Sequence, residues 1–476
     1  MYAKGIDYYL YFDSQDLHTG LGVPQVTRSH GPEANFKRNN FQVSSGNIPD
    51  PLNYTGRLEW VTMYRGKEMI RQWQNISSFD GNLKTGTMHT MFNTPPRLGN
   101  PTVCWGLYDA GSGVISGMTN QHQLYIYATR DQRRWMGDLA KRNPRVARGP
   151  FARFALPGSH DAGMFDMRMV RKVLTHPAFI IAVTAGLGIV GAILGPRVVA
   201  NLSMTQKDNI RTQLDIGTRF FDFRPGWMHT SIRGITPNQL YHQHGLIPGY
   251  PYVEFLVDVL RWLDENPGEI VVVSANTQGF AANVMKPTAE AVDQALATAI
   301  AKAKLSKPIG MGGVRDLASS YEALIRDNTR LIFLNQIEDE TRFYNSWSGA
   351  YATLTPGPII KAFEGMKREM PPTTDYVVMQ MQATATSIDA VVAASIPTTS
   401  DASSPLLATK AMMDAATNPW LRANAARRLS PDHLLVFLND FVDNCMVDTA
   451  IMVTEQRAPE GAAPLPPRLP IANRRW

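Results

Sequence analysis

Leu156-Pro157-Gly158-Ser159-His160-Asp161-Ala162-Gly163 is a short apolar run that ends in ionisable residues. Two blocks of the same build follow it, Gly217-Thr218-Arg219-Phe220-Phe221-Asp222-Phe223-Arg224 and Tyr241-His242-Gln243-His244-Gly245. A β-strand that carries chemistry at its C-terminal end reads this way. Side chains alternate faces along a strand, so Asp222 and Arg224 share one face, and His242 and His244 share a face likewise. Left buried without partners, such groups are costly, so a network or a solvated site is expected. The set suits general acid–base catalysis on a phosphate ester. One such residue alone reads as a structural ion pair or a core histidine; three motif-bearing strands in sequence order favour a site.

Outward from these blocks, strands and helices alternate, the signature of an α/β domain with a parallel sheet. Strands are predicted at 151–157, 217–224, 238–244, 269–275, 329–335, 375–382 and 433–440. Helices are predicted at 251–266, 283–304, 315–327, 357–369 and 406–428. That many units point to a (β/α) barrel, with an open doubly wound sheet as the alternative. Residues 1–145 are β-rich, with runs at Tyr8–Phe12, Leu58–Tyr64, Val103–Tyr108 and Leu124–Ala128 between turn-forming clusters, and suggest a β-sandwich. Thr129–Arg148 reads as a connecting helix and linker whose basic residues form a solvated face, with phosphate binding as the lesser reading. The expected organisation is a β-sandwich over 1–145, a barrel over 146–457 and a Pro-rich tail over 458–476.

The chain's 476 residues suit two domains, and 44% hydrophobic with 18% charged residues is a globular composition. A net charge of +6 is a mild bias, compatible with phosphate substrates or an anionic membrane surface. Lys/Arg clusters interleaved with aromatics are missing, so nucleic acid is not an expected partner. Cys104 and Cys445 lie far apart, without zinc-ligand spacing, and a disulfide framework is not expected. The N-terminus lacks the apolar run of a signal peptide, so the compartment stays open.

Over about residues 151–445, the order and spacing of these blocks resemble the phosphatidylinositol-specific phospholipase C X-domain and related phosphodiesterases. The resemblance implies a phospholipase C-like TIM barrel and casts His160 as the general base on the attacking hydroxyl. It casts His244, before Gly245, as the acid that protonates the leaving alcohol, with His242 as its competitor. Asp161 and Asp440 match the carboxylates that orient the histidines, with Asp443 close to the second. Arg224 stands where calcium-dependent members carry an acidic ligand and metal-independent bacterial members an arginine. An arginine repels a cation and donates two parallel hydrogen bonds to phosphate. Asn276 replaces a charged ligand and is expected to bind substrate, so no cofactor is expected. Calcium, held by Asp161 and Asp222, is the alternative. Gln380 and Gln382 fall where the bacterial type places an acidic residue against inositol hydroxyls, so they are expected to bind substrate and leave the head group open.

Ala178–Gly195 is uncharged and contains Gly186-Leu187-Gly188-Ile189-Val190-Gly191. A dinucleotide site needs an acidic residue ending a second apolar strand about twenty residues on; Asp208 has the distance but a polar setting. The segment is marginal as a membrane span. It reads as a hydrophobic flap at the barrel mouth, meeting a membrane surface, or as a buried helix. The expected function is cleavage of a phospholipid or related phosphodiester by His/His catalysis. The rivals are a silent lipid-binding module and a metal-dependent phosphoesterase using Asp161, Asp222, His242 and His244.

Overall fold

The computed structural model describes residues 6–23, 26–41, 56–76, 94–108, 122–186, 201–232, 234–337, 342–346, 353–370, 373–384, 404 and 406–458. Eight strands come first: β1 (Ile6–Phe12), β2 (Leu17–Val23), β3 (Val26–His30), β4 (Asn39–Phe41), β5 (Gly56–Tyr64), β6 (Lys67–Ile76), β7 (Thr102–Tyr108) and β8 (His122–Thr129). They make two four-stranded sheets, ordered β4-β1-β8-β7 and β3-β2-β5-β6. One hydrophobic cluster draws on both sheets, including Tyr8, Leu10, Leu21, Trp60, Trp105 and Ile126.

β1 is buried along its whole length, and its run Ile-Asp-Tyr-Tyr-Leu-Tyr-Phe follows from that. Tyr8 and Leu10 face the cluster between the sheets. Tyr9 and Tyr11, with Tyr108, Tyr125 and Tyr127, join a second cluster with Met164, Met167, Phe441 and Cys445 of the following domain. Tyrosine suits such a seam because the ring fills apolar space while the hydroxyl can find a partner, as those of Tyr11 and Tyr127 do. Tyr11 donates to Asp448 Oδ2 at 2.5 Å.

The remainder alternates. Helices α1 (Trp135–Arg142) and α2 (Pro144–Arg148) lead to β9 (Ala155–Ser159), α3 (Arg168–Val173), α4 (Pro177–Gly186), α5 (Ile210–Ile216) and β10 (Phe220–Phe223). Next come β11 (Pro225–Gly226), β12 (Tyr241–His244), β13 (Ile247–Pro251), α6 (Tyr252–Glu265), β14 (Val271–Ala275), α7 (Ala289–Ala303), β15 (Gly310–Gly312), α8 (Tyr321–Arg326) and β16 (Thr329–Asn335). The last described elements are β17 (Phe343–Asn345), α9 (Pro356–Gly365), β18 (Tyr376–Gln380), α10 (Leu407–Arg428), β19 (Leu434–Asn439) and α11 (Asn444–Arg457). Strands such as Val271–Ala275 and Leu434–Asn439 are apolar and wholly buried, as a parallel sheet covered on both faces requires. α1 and α2 pack under this sheet, where Trp135, Leu139 and Val146 meet Phe154, Phe220 and Ile332.

Eight parallel strands form one sheet in the order β15-β16-β14-β10-β9-β19-β18-β17. The last long strand pairs with the first, Leu435 opposite Ala155, and that circuit excludes a doubly wound sheet. Two expectations are corrected. The sheet is a curled half-barrel rather than a closed barrel: among the described residues its edge strands β15 and β17 do not pair with each other, and each is three residues long. The strand predicted at 238–244 is not in this sheet either. β12 pairs antiparallel with β11 and β13 in a small sheet of its own, because its His-Gln-His alternation is also that of a hairpin. The predicted tail over 458–476 lies outside the described residues beyond Ala458.

Candidate active site

The C-terminal ends of β9, β10 and β19 lie side by side, Ser159 opposite both Phe221 and Asn439. The residues just past them therefore converge. Asp161 and Phe441 follow two of these ends, with φ of +42° and +50°. Non-glycine residues hold this left-handed conformation where surroundings enforce it, which happens often at functional sites. Here Thr205 Oγ1 donates to the carbonyls of His160 and Asp161 at 3.2 and 3.1 Å, and Gln206 Nε2 donates to the carbonyl of His160 at 2.9 Å. The Phe441 N–H donates to the carbonyl of Thr205 at 2.7 Å.

Arg224 is the hub. Its Nη1 lies 3.0 Å from Asp161 Oδ1, and its Nη2 lies 2.8 Å from Asp222 Oδ2 and 3.2 Å from His160 Nε2. Asn276 Nδ2 donates to the other Asp222 oxygen at 2.7 Å. His160 Nδ1 is 2.7 Å from Asp440 Oδ1, and Asp161 Oδ2 is 3.3 Å from His160 Nε2.

The two strand histidines differ sharply. His242 is wholly buried; its Nδ1 accepts the Arg224 N–H at 3.2 Å and its Nε2 lies 3.0 Å from Asp161 Oδ1. That pairing puts its proton on Nε2, toward Asp161, and leaves neither nitrogen open to a ligand. Gly163 is obligatory beside it, since a Cβ there falls 2.4 Å from His242 Cβ. His244 keeps 35% of its side chain open and stands 3.6 Å from Asp161 Oδ2.

The charges follow from these neighbours. Burial draws His160 down, but Asp161 and Asp440 outweigh it and push the imidazole up to about 9, against the pull of Arg224. Burial lowers His244 to about 4, with Asp161 opposing and Arg224 and His160 assisting. Burial also lowers His242. Asp161 is held well below the carboxylate range, since Arg224, His160 and His244 overcome its burial. Asp222 is lowered by Arg224 against burial and the neighbouring Asp161. Burial raises Asp440, opposed by His160. At neutral pH the free site therefore holds a protonated His160 and a neutral His244.

His160, Asp161 and Asp222 bring ligand-type atoms within 4.8 Å of one another, a spacing that suits a metal ion. The donor set does not fit calcium. Arg224 ion-pairs with both carboxylates, lies 3.2 Å from His160 Nε2, and is held firmly protonated by Asp161 and Asp222 against its burial. A divalent cation there would face a guanidinium and share its carboxylates.

Beside the hub, Ser274, Asn276, Gln278, Gln336, Tyr376 and Gln380 line a cleft with Asp222 and Arg224. Gln382 is not part of that lining; its amide donates to Gln380 Oε1. Gln336 spans the floor, donating to Tyr376 Oη at 2.7 Å and Ser274 Oγ at 3.1 Å. Sequence reasoning did not single out Thr205, Gln206, Gln278 or Gln336. Their signal was only a polar residue near a strand end or in a loop, which is common.

α3 and α4 follow β9 and its loop. Arg168, Arg171 and Lys172 are exposed on α3; on α4 Phe179 is buried while Ile181 is 68% exposed. The expected hydrophobic segment continues to Gly195, and its residues from 187 onward lie outside the described ones.

Two mouse proteins are similar to part of this chain. Mouse PI-PLC X domain-containing protein 1 is 27% identical over 151 residues, 32% of this chain and 41% of that protein. Mouse PI-PLC X domain-containing protein 2 is 30% identical over 142 residues, 30% of this chain and 38% of that protein. Over these stretches the chain is similar to PI-PLC X-domain proteins. It spans about two fifths of the length of the PI-PLC X-domain relatives it matches. No family profile matches it. Among solved structures, phosphatidylinositol-specific phospholipase C of Staphylococcus aureus covers 68% of this chain and 97% of its own at 15% identity, with a TM-score of 0.40. The Listeria monocytogenes enzyme covers 68% and 98% at 14% identity, with a TM-score of 0.37.

Proposed function

We propose that this chain is a metal-independent phosphodiesterase of the phospholipase C kind, acting on phosphatidylinositol or a similar phospholipid at a membrane surface. The observation that carries the reading is Arg224, a fixed cation 3.2 Å from His160 Nε2 that shares the Asp161 carboxylate with the partly exposed His244. A phosphodiester anion drawn to that guanidinium lies between the two imidazoles. His160 Nε2 takes the proton of a head-group hydroxyl, whose oxygen forms a new bond to phosphorus. The phosphorus–oxygen bond to the lipid alcohol breaks, and His244 Nε2 supplies the proton that the departing oxygen takes up. The products are a cyclic phosphate and a neutral lipid alcohol. Asp440 holds His160 with Nε2 toward the substrate, and Arg224 offsets the charge gathering on phosphate.

His160 must lose its proton before it can serve as base, and His244 must gain one. Together the pair carries one proton at neutral pH, and a phosphate anion beside His244 favours moving it there. The amide- and hydroxyl-lined cleft supplies hydrogen bonds to a polyol head group. The two N-terminal sheets, taken as a β-sandwich domain, brace the half-barrel. The cations of α3 and the exposed Ile181 of α4 support docking at an anionic membrane. Incubating the protein with a panel of phospholipid vesicles and following cyclic phosphate by phosphorus NMR tests the reading; a panel without turnover favours a silent lipid-binding module.

A further inference from the structure

Behind His160, the residue that carries Asp440 is itself clamped. The Asp440 N–H donates to Asn439 Oδ1 at 3.0 Å, and Asn439 Nδ2 donates to Asp414 Oδ1 at 2.9 Å. The main chain of Asn439 reaches the other partner, its carbonyl accepting the His160 N–H at 3.1 Å. Asn439 thus holds both members of the His160–Asp440 pair.

Asp414 is fixed in turn. Its Oδ2 accepts from Lys410 Nζ at 2.5 Å and from the Tyr127 hydroxyl at 3.2 Å. Lys410 also donates to Asp443 Oδ2 at 2.5 Å, while Asp443 Oδ1 accepts the Met446 N–H at 3.0 Å at the start of α11. The side chains of Lys410, Asp414 and Asp443 are each 1% exposed. Desolvating three charged groups is unfavourable compared with a packed apolar cluster of similar volume, so stability alone is a poor account of them. Their hydrogen bonds lead, without a gap, from the N-terminal sheet to the imidazole.

We infer that Asn439, clamped by Asp414 and Lys410, is a positioning residue that sets Asp440 against His160, and that Tyr127 makes the N-terminal sheet part of this support. The inference deepens the proposed function and rests on its reading of His160 as the base.

The test uses the full chain. A proton shared between His160 Nδ1 and Asp440 should give a downfield proton NMR resonance, assigned by its loss in His160→Ala. Asn439→Leu keeps the volume but removes both hydrogen bonds. The resonance should vanish or broaden, and kcat on phosphatidylinositol vesicles should fall about a hundredfold with KM unchanged. Tyr127→Phe, a milder change that guards against misfolding, should broaden the same resonance and lower kcat several-fold. Tyr11→Phe releases Asp448 from the same sheet without touching the clamp and should alter neither. A folded Asn439→Leu that keeps the resonance and kcat would overturn the inference, as would Tyr127→Phe and Tyr11→Phe acting alike. If the wild type turns over no phosphodiester, the proposed function fails and the resonance alone decides the inference.

Discussion

Arg224 Nη2 lies 3.2 Å from His160 Nε2, so the nitrogen proposed to take the substrate's proton also faces the proposed phosphate anchor. In the proposed mechanism, phosphate and nucleophile are thereby brought to one point. Replacing the fork with a point charge should separate the two functions. Arg224→Lys is expected to keep some phosphate affinity but to lose one to two decades of kcat/KM, roughly what a lost bidentate, charge-assisted contact costs. Steady-state kinetics on vesicles check this, and an undiminished rate would remove Arg224 from the chemistry.

His160 and His244, the proposed base and acid, should respond differently to the leaving group. His160→Ala and His244→Ala are each expected to lower kcat by about two to four decades on a lipid substrate, the usual size of a lost acid–base group. A p-nitrophenyl phosphodiester has a leaving group that needs no proton. His244→Ala should recover most of its rate on it, and His160→Ala should not; the opposite pattern would exchange their roles. His242→Ala should cost far less turnover, since both its nitrogens are engaged within the protein.

The pH dependence follows from His160 near 9 and His244 near 4. Between these values the pair carries one proton, the number the reaction needs. kcat/KM should therefore be level from about pH 4 to 9. It should fall on the acid side as His244 is protonated while His160 still holds its proton. It should fall on the alkaline side as His160 empties and the acid has no proton to give. A narrow optimum near pH 6.5 would mean that the neighbouring carboxylates and Arg224 do not perturb the pair.

On α4, neighbouring residues should separate membrane binding from folding. Ile181→Ser changes a side chain that is 68% exposed, and it should weaken vesicle binding while leaving the melting midpoint and the turnover of a soluble phosphodiester unchanged. Phe179→Ser puts a hydroxyl into a buried cluster and should cost about 3–5 kcal/mol, lowering both activities together. Vesicle sedimentation and thermal melting check the pair. Equal effects from the two substitutions would make α4 a structural helix only.

Much of the fold was legible because its strands are buried on both faces. Val271–Ala275 and Leu434–Asn439 read as strands within the predicted spans 269–275 and 433–440. β15 and β17 were not legible: Gly-Met-Gly and Phe-Tyr-Asn are too short to show a period. That the sheet does not close among the described residues could not be seen without them. At the site, His160, Asp161, Asp222, Arg224 and His244 were visible because ionisable residues interrupt apolar runs. The clamp was not. Lys410 and Asp414, spaced as a helical i,i+4 pair, resemble a solvated surface couple, and only the packing of α10 under the N-terminal sheet buries them.

The most direct measurement of metal-independent phosphodiester cleavage is phosphorus NMR on phosphatidylinositol vesicles incubated with the protein in excess chelator. A cyclic phosphate resonance growing at the rate seen without chelator is the expected result. A spectrum that stays unchanged until calcium is restored would contradict Arg224 as the cation that serves the phosphate.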